Sequence, residues 1–522
     1  MNLKVVSVVN VATATYEKEY KDLRILSVTS EVKSIATGGL GGAVDDMSSA
    51  FQDLGADVRI AVPGYTKLLN SGNYQKVDSF RLNHYGQDVD VDVLFGNLPK
   101  TSNPAYVFRI PWFFERGGSI YHDEHGKDFL DNDDRFSVFS RAVWEHVIRT
   151  GEKDWCPNIL HGHDWHVGPA FGLRALFAQG NPMVKSIGTM FTVHNVAYNG
   201  TYDMFALEKS GLQDLKHYGE FYGGYSFLRM GINTADAVTT VSPNHALELL
   251  SEKMSFGLYG DFKRLHSMGR FFGIMNGINQ EEWNPETNKN LHRNYGKEGF
   301  RKAREENKRY LIEDYCKMHY EPGLPVFSFI GRLTWQKGTD CLVDGVREFL
   351  SNNNAYFVAL GSGDSAVEEQ LRWLKNDFPD RINVDYGFKP DNRFPILAGS
   401  DVALMPSRFE PCGLFQLECM RLGTAVIGTP TGGIADSIIN YSLNTRTGNG
   451  FFMFDGVNPH SIAHAMHRAS YILKDEEHKQ EIVKQAMRFD SRWQPNAVKY
   501  LDIALKIKNG ELKGPVTQSF SK

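Results

Sequence analysis

Residues 23–62 read LRILSVTSEVKSIATGGLGGAVDDMSSAFQDLGADVRIAV, and this stretch decides the fold class. It begins with an apolar run at 23–29 that is typical of a strand, and a glycine-rich turn follows at 37–42. The next apolar residues lie at the spacing of one helical face: Ala43, Met47, Phe51 and Leu54. A second apolar run follows at 58–62. The stretch therefore predicts a strand–helix–strand unit in a parallel, doubly wound sheet.

Similar apolar runs continue along the chain in two series. In the first series the further strand candidates are 89–95, 106–110, 190–193 and 237–241. In the second series they are 326–330, 356–360, 382–384, 402–405 and 425–427. The Val-Asp-Val-Asp-Val alternation at 89–93 is typical of a half-exposed edge strand. Two such series predict an α/β protein made of two doubly wound, Rossmann-like domains that face each other across a cleft.

We expect an N-terminal Rossmann-like domain at residues 1–270 and a C-terminal one at 271–490. Residues 491–522 contain a helical pattern that we expect to pack back on the N-terminal domain. The charged segment 284–324 predicts a linking region with an exposed helix.

Composition excludes several classes of protein. A chain of 522 residues is too long for one compact core, and a net charge of −5 gives no basic surface for nucleic acid. The sequence has no apolar run long enough to span a membrane. The five cysteines are scattered, which favours a reducing compartment. Residues 5–16 are weakly apolar, so a secretory signal stays an alternative to the expected cytoplasmic location.

The segment 406–418 carries the first candidate site. Glu410 follows the apolar run 402–405, Gly413 is predicted to open a helix, and Glu418 lies further along that helix. Helix-start amides favour a diphosphate, and carboxylates accept hydrogen bonds from sugar hydroxyls. The segment therefore predicts a sugar-nucleotide site. The alternative is an ordinary strand-to-helix connection with two solvated acids.

A second candidate segment, 331–338, follows the first strand of the second series. Arg332 and Lys337 lie close together after that strand, where they could neutralise a leaving diphosphate. The alternative is a pair of solvated surface cations.

Two polar segments of the first series end at the same predicted sheet edge. Residues 161–166 read HGHDWH, which could hold a metal or, through Asp164 and Trp165, a sugar. His194 ends the run 190–193 and could hydrogen-bond a sugar hydroxyl or be an ordinary core histidine.

The glycine-rich turn also raises the possibility of a dinucleotide-binding oxidoreductase. Gly39 and Gly41 fit the first two positions of a G-x-G-x-x-G fingerprint, but Val44 occupies the third. The acidic residue expected after the next strand is also absent, which argues against this class.

Together these motifs resemble the bacterial glycogen synthases and plant starch synthases, retaining glucosyltransferases of the two-domain GT-B type. The resemblance runs from about residue 23 to 505. Its segments are 30–32, 37–40, 121–123, 163–166, 192–195, 241–243, 276–278, 331–338, 407–414 and 431–433.

The resemblance implies an enzyme that extends an α-1,4-glucan from ADP-glucose or UDP-glucose, without metal or cofactor. Its catalytic residues would be Glu410, Arg332, Lys337, His194 and Asp164. The nucleobase would stack on Tyr386, and Glu418 would contact the ribose. Further substrate contacts would come from Gly38, Gly39, Tyr121, His122, Asn276, Cys412, Gly413 and Leu414. The partners would be a nucleotide-glucose donor and an α-glucan acceptor, with no nucleic acid and no membrane.

One departure from the family pattern matters. The family usually has a lysine directly before T-G-G-L and an acidic residue two after the leucine, where this chain has Ala36 and Gly42. Lys33 could reach the place of the missing lysine. A GT-B enzyme with another acceptor and a catalytically impaired glucan-binding homologue remain alternatives.

Overall fold

The computed structural model describes residues 20–151, 153–387 and 390–514. The segment 5–16, on which the alternative of a secretory signal rests, lies outside these residues. Within the described ranges, no helix combines the length and the apolarity needed to cross a bilayer.

The strands are numbered in chain order. They are β1 (Arg24–Val28), β2 (Asp57–Pro63), β3 (Tyr74–His84), β4 (Gln87–Asn97), β5 (Pro104–Arg109), β6 (Ile159–His163), β7 (Gly188–Val193), β8 (Thr201–Tyr202), β9 (Glu220–Phe221), β10 (Gly224–Ser226), β11 (Ala237–Thr240), β12 (Phe271–Gly273), β13 (Val326–Ile330), β14 (Tyr356–Leu360), β15 (Ile382–Asp385), β16 (Val402–Met405), β17 (Ala425–Gly428) and β18 (Gly450–Phe452).

The helices are numbered in the same way. They are α1 (Gly39–Asp53), α2 (Thr66–Leu69), α3 (Pro111–Phe114), α4 (Asn132–Thr150), α5 (Gly168–Phe177), α6 (Pro182–Ser186), α7 (Phe205–Ser210), α8 (Lys216–Gly219), α9 (Phe227–Thr234), α10 (Pro243–Glu248), α11 (Tyr259–Ser267), α12 (Phe300–Tyr310), α13 (Thr339–Leu350), α14 (Ser365–Asp377), α15 (Arg393–Gly399), α16 (Phe415–Arg421), α17 (Gly432–Ser437), α18 (Pro459–Leu473), α19 (Glu476–Arg488) and α20 (Gln494–Lys508).

The first sheet has nine strands in the order β12-β11-β7-β6-β1-β2-β5-β4-β3. β1 pairs in parallel with both β2 and β6, so the chain winds outward from β1 in two directions. The predicted strand–helix–strand unit of residues 23–62 is confirmed, because β1 and β2 are joined by α1. The point between β1 and β6, where the winding direction changes, is the place where such sheets bind ligands.

One prediction about this sheet is wrong. The alternating run at 89–93 was expected at the sheet edge, but it belongs to β4, which pairs on one side with β3 and on the other with β5. β3 is the edge strand. β4 alternates because only one of its faces is covered: Val91 and Val93 are buried, and Asp90 and Asp92, which alternate with them, are not.

The second sheet has six strands in the order β15-β14-β13-β16-β17-β18, all parallel. It is also doubly wound, and its winding direction changes between β13 and β16. The five strands predicted for the second series are all present. The structure adds β18, which the sequence analysis did not identify.

The chain crosses between the two sheets twice, and the crossings lie side by side. The first sheet continues to β12, so the chain leaves it after Gly273, a few residues beyond the boundary expected at 270. At the second crossing Ser491 accepts a hydrogen bond from the Ile278 backbone N–H at 2.9 Å. A Cβ added to Gly277 would lie 2.5 Å from the backbone nitrogen of Trp493, so only glycine fits there.

The C-terminal helix α20 lies against the first sheet. Its apolar side chains, including Tyr500 and Leu501, share a buried cluster with Phe51 of α1, Ile159 of β6 and Met190 of β7. Burial of this face supplies the hydrophobic energy that holds the helix in place.

The charged segment 284–324 is more than a linker. Phe300 and Ala303 of α12 belong to the core of the second domain. At the end of the same buried face, Lys308 Nζ lies 2.7 Å from Oδ2 of Asp401, and Lys479 Nζ lies 3.2 Å from Oδ1. The helix was expected to be exposed, but one of its faces is covered because these residues recur at helical spacing.

Asp401 offers a test of this packing. Burial alone would raise its pKa, but Lys308 and Lys479 outweigh burial and hold the pKa of Asp401 below its ordinary value. We expect Asp401→Asn to lower the free energy of unfolding by about 3–5 kcal/mol at pH 7, as when one partner of a buried ion pair is removed. Urea unfolding would measure the change. The deficit should shrink as the pH falls below about 4, because the unfolded wild-type chain then binds a proton at Asp401 while the lowered pKa keeps the folded carboxylate charged.

The matched control is Asp377→Asn, which breaks an exposed pair with Arg347 in the same domain. This substitution should cost no more than about 1 kcal/mol. Equal losses in the two variants would contradict the argument from burial.

Candidate active site

The candidate residues lie in loops that follow the carboxyl ends of neighbouring strands. Asp164 follows β6 and His194 follows β7, on the side of the first sheet next to β1. Arg332 and Lys337 follow β13, and Glu410 follows β16, the two strands that flank the switch point of the second sheet. The topology therefore brings the candidates of each sheet to its ligand-binding edge.

Lys337 and Glu410 are in direct contact. Lys337 Nζ donates to Oε2 of Glu410 at 2.5 Å, and Ser407 Oγ donates to the same oxygen at 2.9 Å. Glu410 is buried, with 7% of its surface exposed, so it needs these partners to offset the loss of water. No hydrogen bond from a described residue reaches Oε1. That oxygen is therefore available to accept a hydrogen bond from a ligand hydroxyl.

The loop after β13 and the segment 406–410 are held together by direct backbone contacts. Gly338 has φ +69°, and a Cβ there would lie 2.0 Å from the carbonyl oxygen of Pro406. The Arg408 N–H donates to the Gln336 carbonyl at 2.9 Å, and Gln336 Nε2 donates to the Phe409 carbonyl at 3.3 Å. This pairing places Lys337 beside Glu410.

A second glycine turn holds Glu410 from the other side. Gly432 has φ +45°, and a Cβ there would lie 1.9 Å from the carbonyl oxygen of Glu410. A Cβ on Gly433 would lie 1.9 Å from the Cys412 carbonyl oxygen, and its N–H donates to the Glu410 carbonyl at 3.0 Å. Any side chain at these positions would push the segment out of place.

Arg332 is exposed at the end of β13. Among the residues that the structure describes, it has no ion-pair partner. Lys337, in contrast, is half-buried and paired. The loop after β13 thus presents one cation that is held in position and one that is available to an anionic ligand.

Asp164 joins the loops after β6 and β7. Its φ of +60° and ψ of 178° are a strained backbone conformation for a residue with a side chain. Its Oδ1 accepts the backbone N–H of His194 at 2.6 Å and that of Asn195 at 3.3 Å. Burial raises the pKa of Asp164 to about 7, against the opposing effect of these two hydrogen bonds.

His194 belongs to a buried hydrogen-bonded chain. Its Nε2 lies 3.1 Å from Nδ1 of His163, whose Nε2 lies 3.0 Å from Ser27 Oγ. Burial lowers the pKa of His194 to about 3, so the ring is neutral at neutral pH. His161 makes a separate contact of 2.7 Å to Thr192. His194 therefore presents a neutral, oriented imidazole.

The contacts of the histidines in residues 161–166 argue against the alternative of a metal site there. His161 and His163 are engaged as described, and the His166 ring stacks on Tyr121 at 4.8 Å. Within the described part of the chain, no group of three or more His, Cys, Asp or Glu side chains could hold a metal ion.

Glu31 organises the glycine-rich loop, a role that the sequence analysis did not assign. Its carboxylate accepts the Thr37 N–H at 2.9 Å and the Thr37 hydroxyl at 3.0 Å. It also accepts the Tyr121 hydroxyl at 2.6 Å. Tyr121, a predicted substrate contact, thus supports the loop. The adjacent His122 lies within its own loop, with Nε2 3.1 Å from Asp128.

Gly38 and Gly39 lie at the start of α1 and are exposed. A Cβ on Gly39 would lie 3.8 Å from Cδ1 of Leu414, so the loop of the first domain touches the second domain here. Gly41 is enclosed: a Cβ there would lie 2.8 Å from the carbonyl carbon of Val32.

Leu414 is the N-cap of α16, which begins at Phe415 rather than at Gly413 as predicted. Gly413 has φ +69°, which lies outside the helical region. Cys412 is buried; burial raises the pKa of its thiol to about 12, and the Asn276 backbone hydrogen-bonds to it. The Asn276 side chain is buried as well, and its Oδ1 has no hydrogen-bond partner among the described residues.

Glu418 and Tyr386 each contact an arginine. Arg393 Nη1 lies 3.2 Å from Oε1 of Glu418. Burial raises the pKa of Glu418, and the charge of Arg393 partly opposes this. The guanidinium of Arg372 lies 4.8 Å from the centre of the Tyr386 ring, which keeps 38% of its surface exposed.

Several supporting residues escaped the sequence analysis because their partners are far away in sequence. Glu248 of the first domain accepts hydrogen bonds from the Thr431 hydroxyl and the Gly432 N–H of the second, both at 2.9 Å. Arg393 pairs with Glu418 from another helix. Ser407 lies inside the candidate segment, but nothing near it in the sequence predicts its contact with Glu410.

Two family models match the chain. The starch synthase catalytic domain matches residues 24–264, and the glycosyl transferases group 1 domain matches residues 319–489.

The chain is also similar to named relatives. It is 33% identical over 490 residues to the glycogen synthase of Thioalkalivibrio sulfidiphilus, an alignment that covers 92% of this chain and 99% of the relative. It is 33% identical over 497 residues to that of Yersinia enterocolitica, with the same coverage.

Solved structures agree with these matches. The catalytic domain of starch synthase IV from Arabidopsis thaliana, bound to ADP and acarbose, superposes with a TM-score of 0.82 at 27% identity, covering 93% of this chain and 99% of that one. Sucrose-phosphate synthase from Thermosynechococcus elongatus, with a TM-score of 0.57, 15% identity and coverage of 93% and 100%, shares the fold. The resemblance and the GT-B fold predicted from the motifs are confirmed. The chain is a hexosyltransferase that belongs to the glycogen synthase and starch synthase family of glycosyltransferases.

Proposed function

We propose that this enzyme transfers glucose from ADP-glucose, or else UDP-glucose, to the non-reducing end of an α-1,4-glucan, with retention of configuration. The observation that carries the proposal is the contact between Lys337 and Glu410 at the switch point of the second sheet. It combines a cation for a diphosphate with a buried carboxylate for a sugar.

The donor assignment rests on the second domain. Arg332 and Lys337 would bind the diphosphate, and Oε1 of Glu410 would accept a glucose hydroxyl. Tyr386 and Glu418 would receive the base and the ribose. Further donor contacts would come from Asn276, Cys412, Gly413 and Leu414. The similar starch synthase IV domain was solved with ADP, which supports ADP-glucose as the first donor to test.

The first domain would complete the site from across the cleft. His194 would hydrogen-bond the transferred glucose through its neutral ring. Asp164 would act mainly by holding the His194 loop, since its Oδ1 already accepts two backbone N–H groups. Gly38 and Gly39 would let the loop approach the donor closely. Tyr121 and His122 would lie at its margin.

The proposed reaction is a front-side displacement. The acceptor hydroxyl approaches C1 of glucose on the side of the leaving diphosphate. The bond from C1 to the phosphate oxygen breaks as the bond to the acceptor oxygen forms. The leaving phosphate takes the acceptor's proton. Negative charge grows on the diphosphate in the transition state, and Arg332 and Lys337 stabilise it there.

The other interpretations make different predictions. A glucan-binding homologue without activity would have no need for the ordered contacts among Lys337, Ser407 and Glu410. An enzyme with another acceptor would release nucleotide when a different sugar chain, and not glycogen, is supplied as the acceptor.

The direct experiment is to incubate the protein with glycogen and either ADP-glucose or UDP-glucose and to measure nucleotide release. We expect release that depends on glycogen, with lengthened α-1,4 chains as the product. Release that is equal without glycogen, or no release from either donor, would contradict the proposal.

A first prediction concerns the contact that carries the proposal. Lys337→Met and Glu410→Gln should each lower kcat by about 10²–10³, because each removes a charged group placed in a water-poor site. Steady-state kinetics with glycogen would measure the change. Circular dichroism and Tm should stay close to those of the wild type.

Lys302→Met serves as the control for these two variants. It removes a lysine of the same domain whose pairing with Glu306 is at the surface, with 89% of the lysine side chain exposed. Its kcat should equal that of the wild type. If Lys337→Met behaved like this control, Lys337 would have no part in the reaction.

A second prediction separates activity from stability at Asp164. The folded pKa of about 7 lies above that of an unfolded Asp, about 3.9, so ionising the buried carboxyl costs stability as the pH rises through this window. Asp164→Asn keeps an oxygen acceptor for His194. Relative to the wild type, the variant should be more stable by at least about 1 kcal/mol, or about 2–4 °C in Tm, at pH 8 than at pH 5. It should lose part of its activity at pH 8, because a neutral amide oxygen holds the two backbone N–H groups less strongly than a carboxylate does. Thermal melts at both pH values would test this. An identical Tm difference at the two pH values would contradict it.

A further inference from the structure

Lys33, which the sequence analysis placed near the missing lysine of the glycine-rich loop, already has partners. Its Nζ lies 3.2 Å from Oδ1 of Asp46 in α1 and 2.7 Å from Oε2 of Glu282. The Lys33 side chain is only 19% exposed. Glu282 is adjacent to Trp283, a residue of the second domain's core. Lys33 is therefore half of an ion pair that joins the two domains.

This ion pair continues into the candidate nucleotide site. Arg393 Nη2 lies 3.8 Å from Oε1 of Glu282, and Arg393 Nη1 lies 3.2 Å from Oε1 of Glu418. The guanidinium of Arg393 also lies 5.0 Å from the ring centre of Trp283, which limits its freedom. Five charges of alternating sign thus run from α1 to α16: Asp46, Lys33, Glu282, Arg393 and Glu418.

The order of the charges matters because Arg393 lies between two carboxylates, those of Glu282 and Glu418. Lys33 partly neutralises Glu282, so the pairing of Arg393 with Glu418 is favoured over its pairing with Glu282. Without the charge of Lys33, Glu282 would attract Arg393 more strongly and draw it away from Glu418. These groups are only partly exposed, so water screens them less than it screens surface pairs.

We propose that Lys33 is a positioning residue: through Glu282 and Arg393 it orients the carboxylate of Glu418 for the ribose of the donor. This inference rests on the proposed function, in which Glu418 binds the ribose hydroxyls. It gives Lys33 a role that differs from that of a phosphate-binding cation, since its ammonium group is occupied by two carboxylates.

The experiment compares two nucleotides by calorimetry: ADP and 2′,3′-dideoxy-ADP, which lacks both ribose hydroxyls. Lys33→Met should weaken ADP binding by about two- to tenfold, as expected for coupling within one charge network, whereas Glu282→Gln removes the carboxylate that competes for Arg393 and should bind ADP at least as well as the wild type does. Neither should change the affinity for the dideoxy nucleotide. Lys33→Arg keeps the charge and should bind ADP nearly as the wild type does.

Kinetics give an independent readout. Because the ribose is remote from the reacting bonds, Lys33→Met should raise the donor KM and leave kcat within about twofold. The double variant Lys33→Met/Glu282→Gln should regain most of the ADP affinity that Lys33→Met alone loses, since the charge that competes for Arg393 is then gone. Lys76→Met is the matched control: its pair with Asp92, at 3.1 Å, lies within the first domain, and ADP affinity should not change.

The outcomes separate the inference from the proposed function. If the wild type bound both nucleotides equally, the assignment of Glu418 to the ribose would be wrong. If the wild type preferred ADP but Lys33→Met lost the same affinity for both nucleotides, Lys33 would act on the phosphates or on domain contact, and the inference would be overturned. An unchanged ADP affinity in Lys33→Met would overturn it as well.

Discussion

The position of Glu410 depends on a steric constraint: the backbone of residues 406–412 touches two other loops where no side chain fits. Gly338 meets it on one side, and Gly432 and Gly433 meet it on the other. These contacts involve backbone atoms of three different loops, so the position of the carboxylate is limited by backbone packing as well as by its hydrogen bonds. Lys337 and Ser407 then satisfy its charge. Steric fit positions the group, and electrostatics stabilises it.

The turn at Gly432 and Gly433 also connects the segment that carries Glu410 with the first domain. Glu248 of the first domain binds the Thr431 hydroxyl and the Gly432 N–H, and the Asn244 N–H donates to Asp436 at 2.9 Å. Gly432 therefore touches both the segment that carries Glu410 and the opposite domain. Lys33 adds a second link, through Glu282. The contacts between the domains and the shape of the donor site are consequently linked, and a change in one would alter the other.

Five of the six strands of the second sheet, all but β18, could be predicted from the sequence almost residue by residue, because strands buried on both faces read as continuous apolar runs. β3 could not, since most of its residues are exposed and its polar side chains hide the pattern. Strand-end positions such as Glu410 follow from topology alone. Contacts such as that of Glu31 with Tyr121, separated by 90 residues, have no local signal. The same holds for Arg393, whose partner Glu418 lies on another helix.

The paired crossings at Ile278 and Ser491 have a mechanical consequence. Two covalent connections that are hydrogen-bonded to each other act as one narrow pivot. With Gly277 packed against the Trp493 backbone, the halves have little room to slide along one another at this point. We therefore expect relative motion of the halves to be mainly a rotation about this point. In such a rotation, groups near the pivot would move least and the outer edges of the cleft would move most. A small rotation about the pivot would therefore widen the cleft entrance considerably.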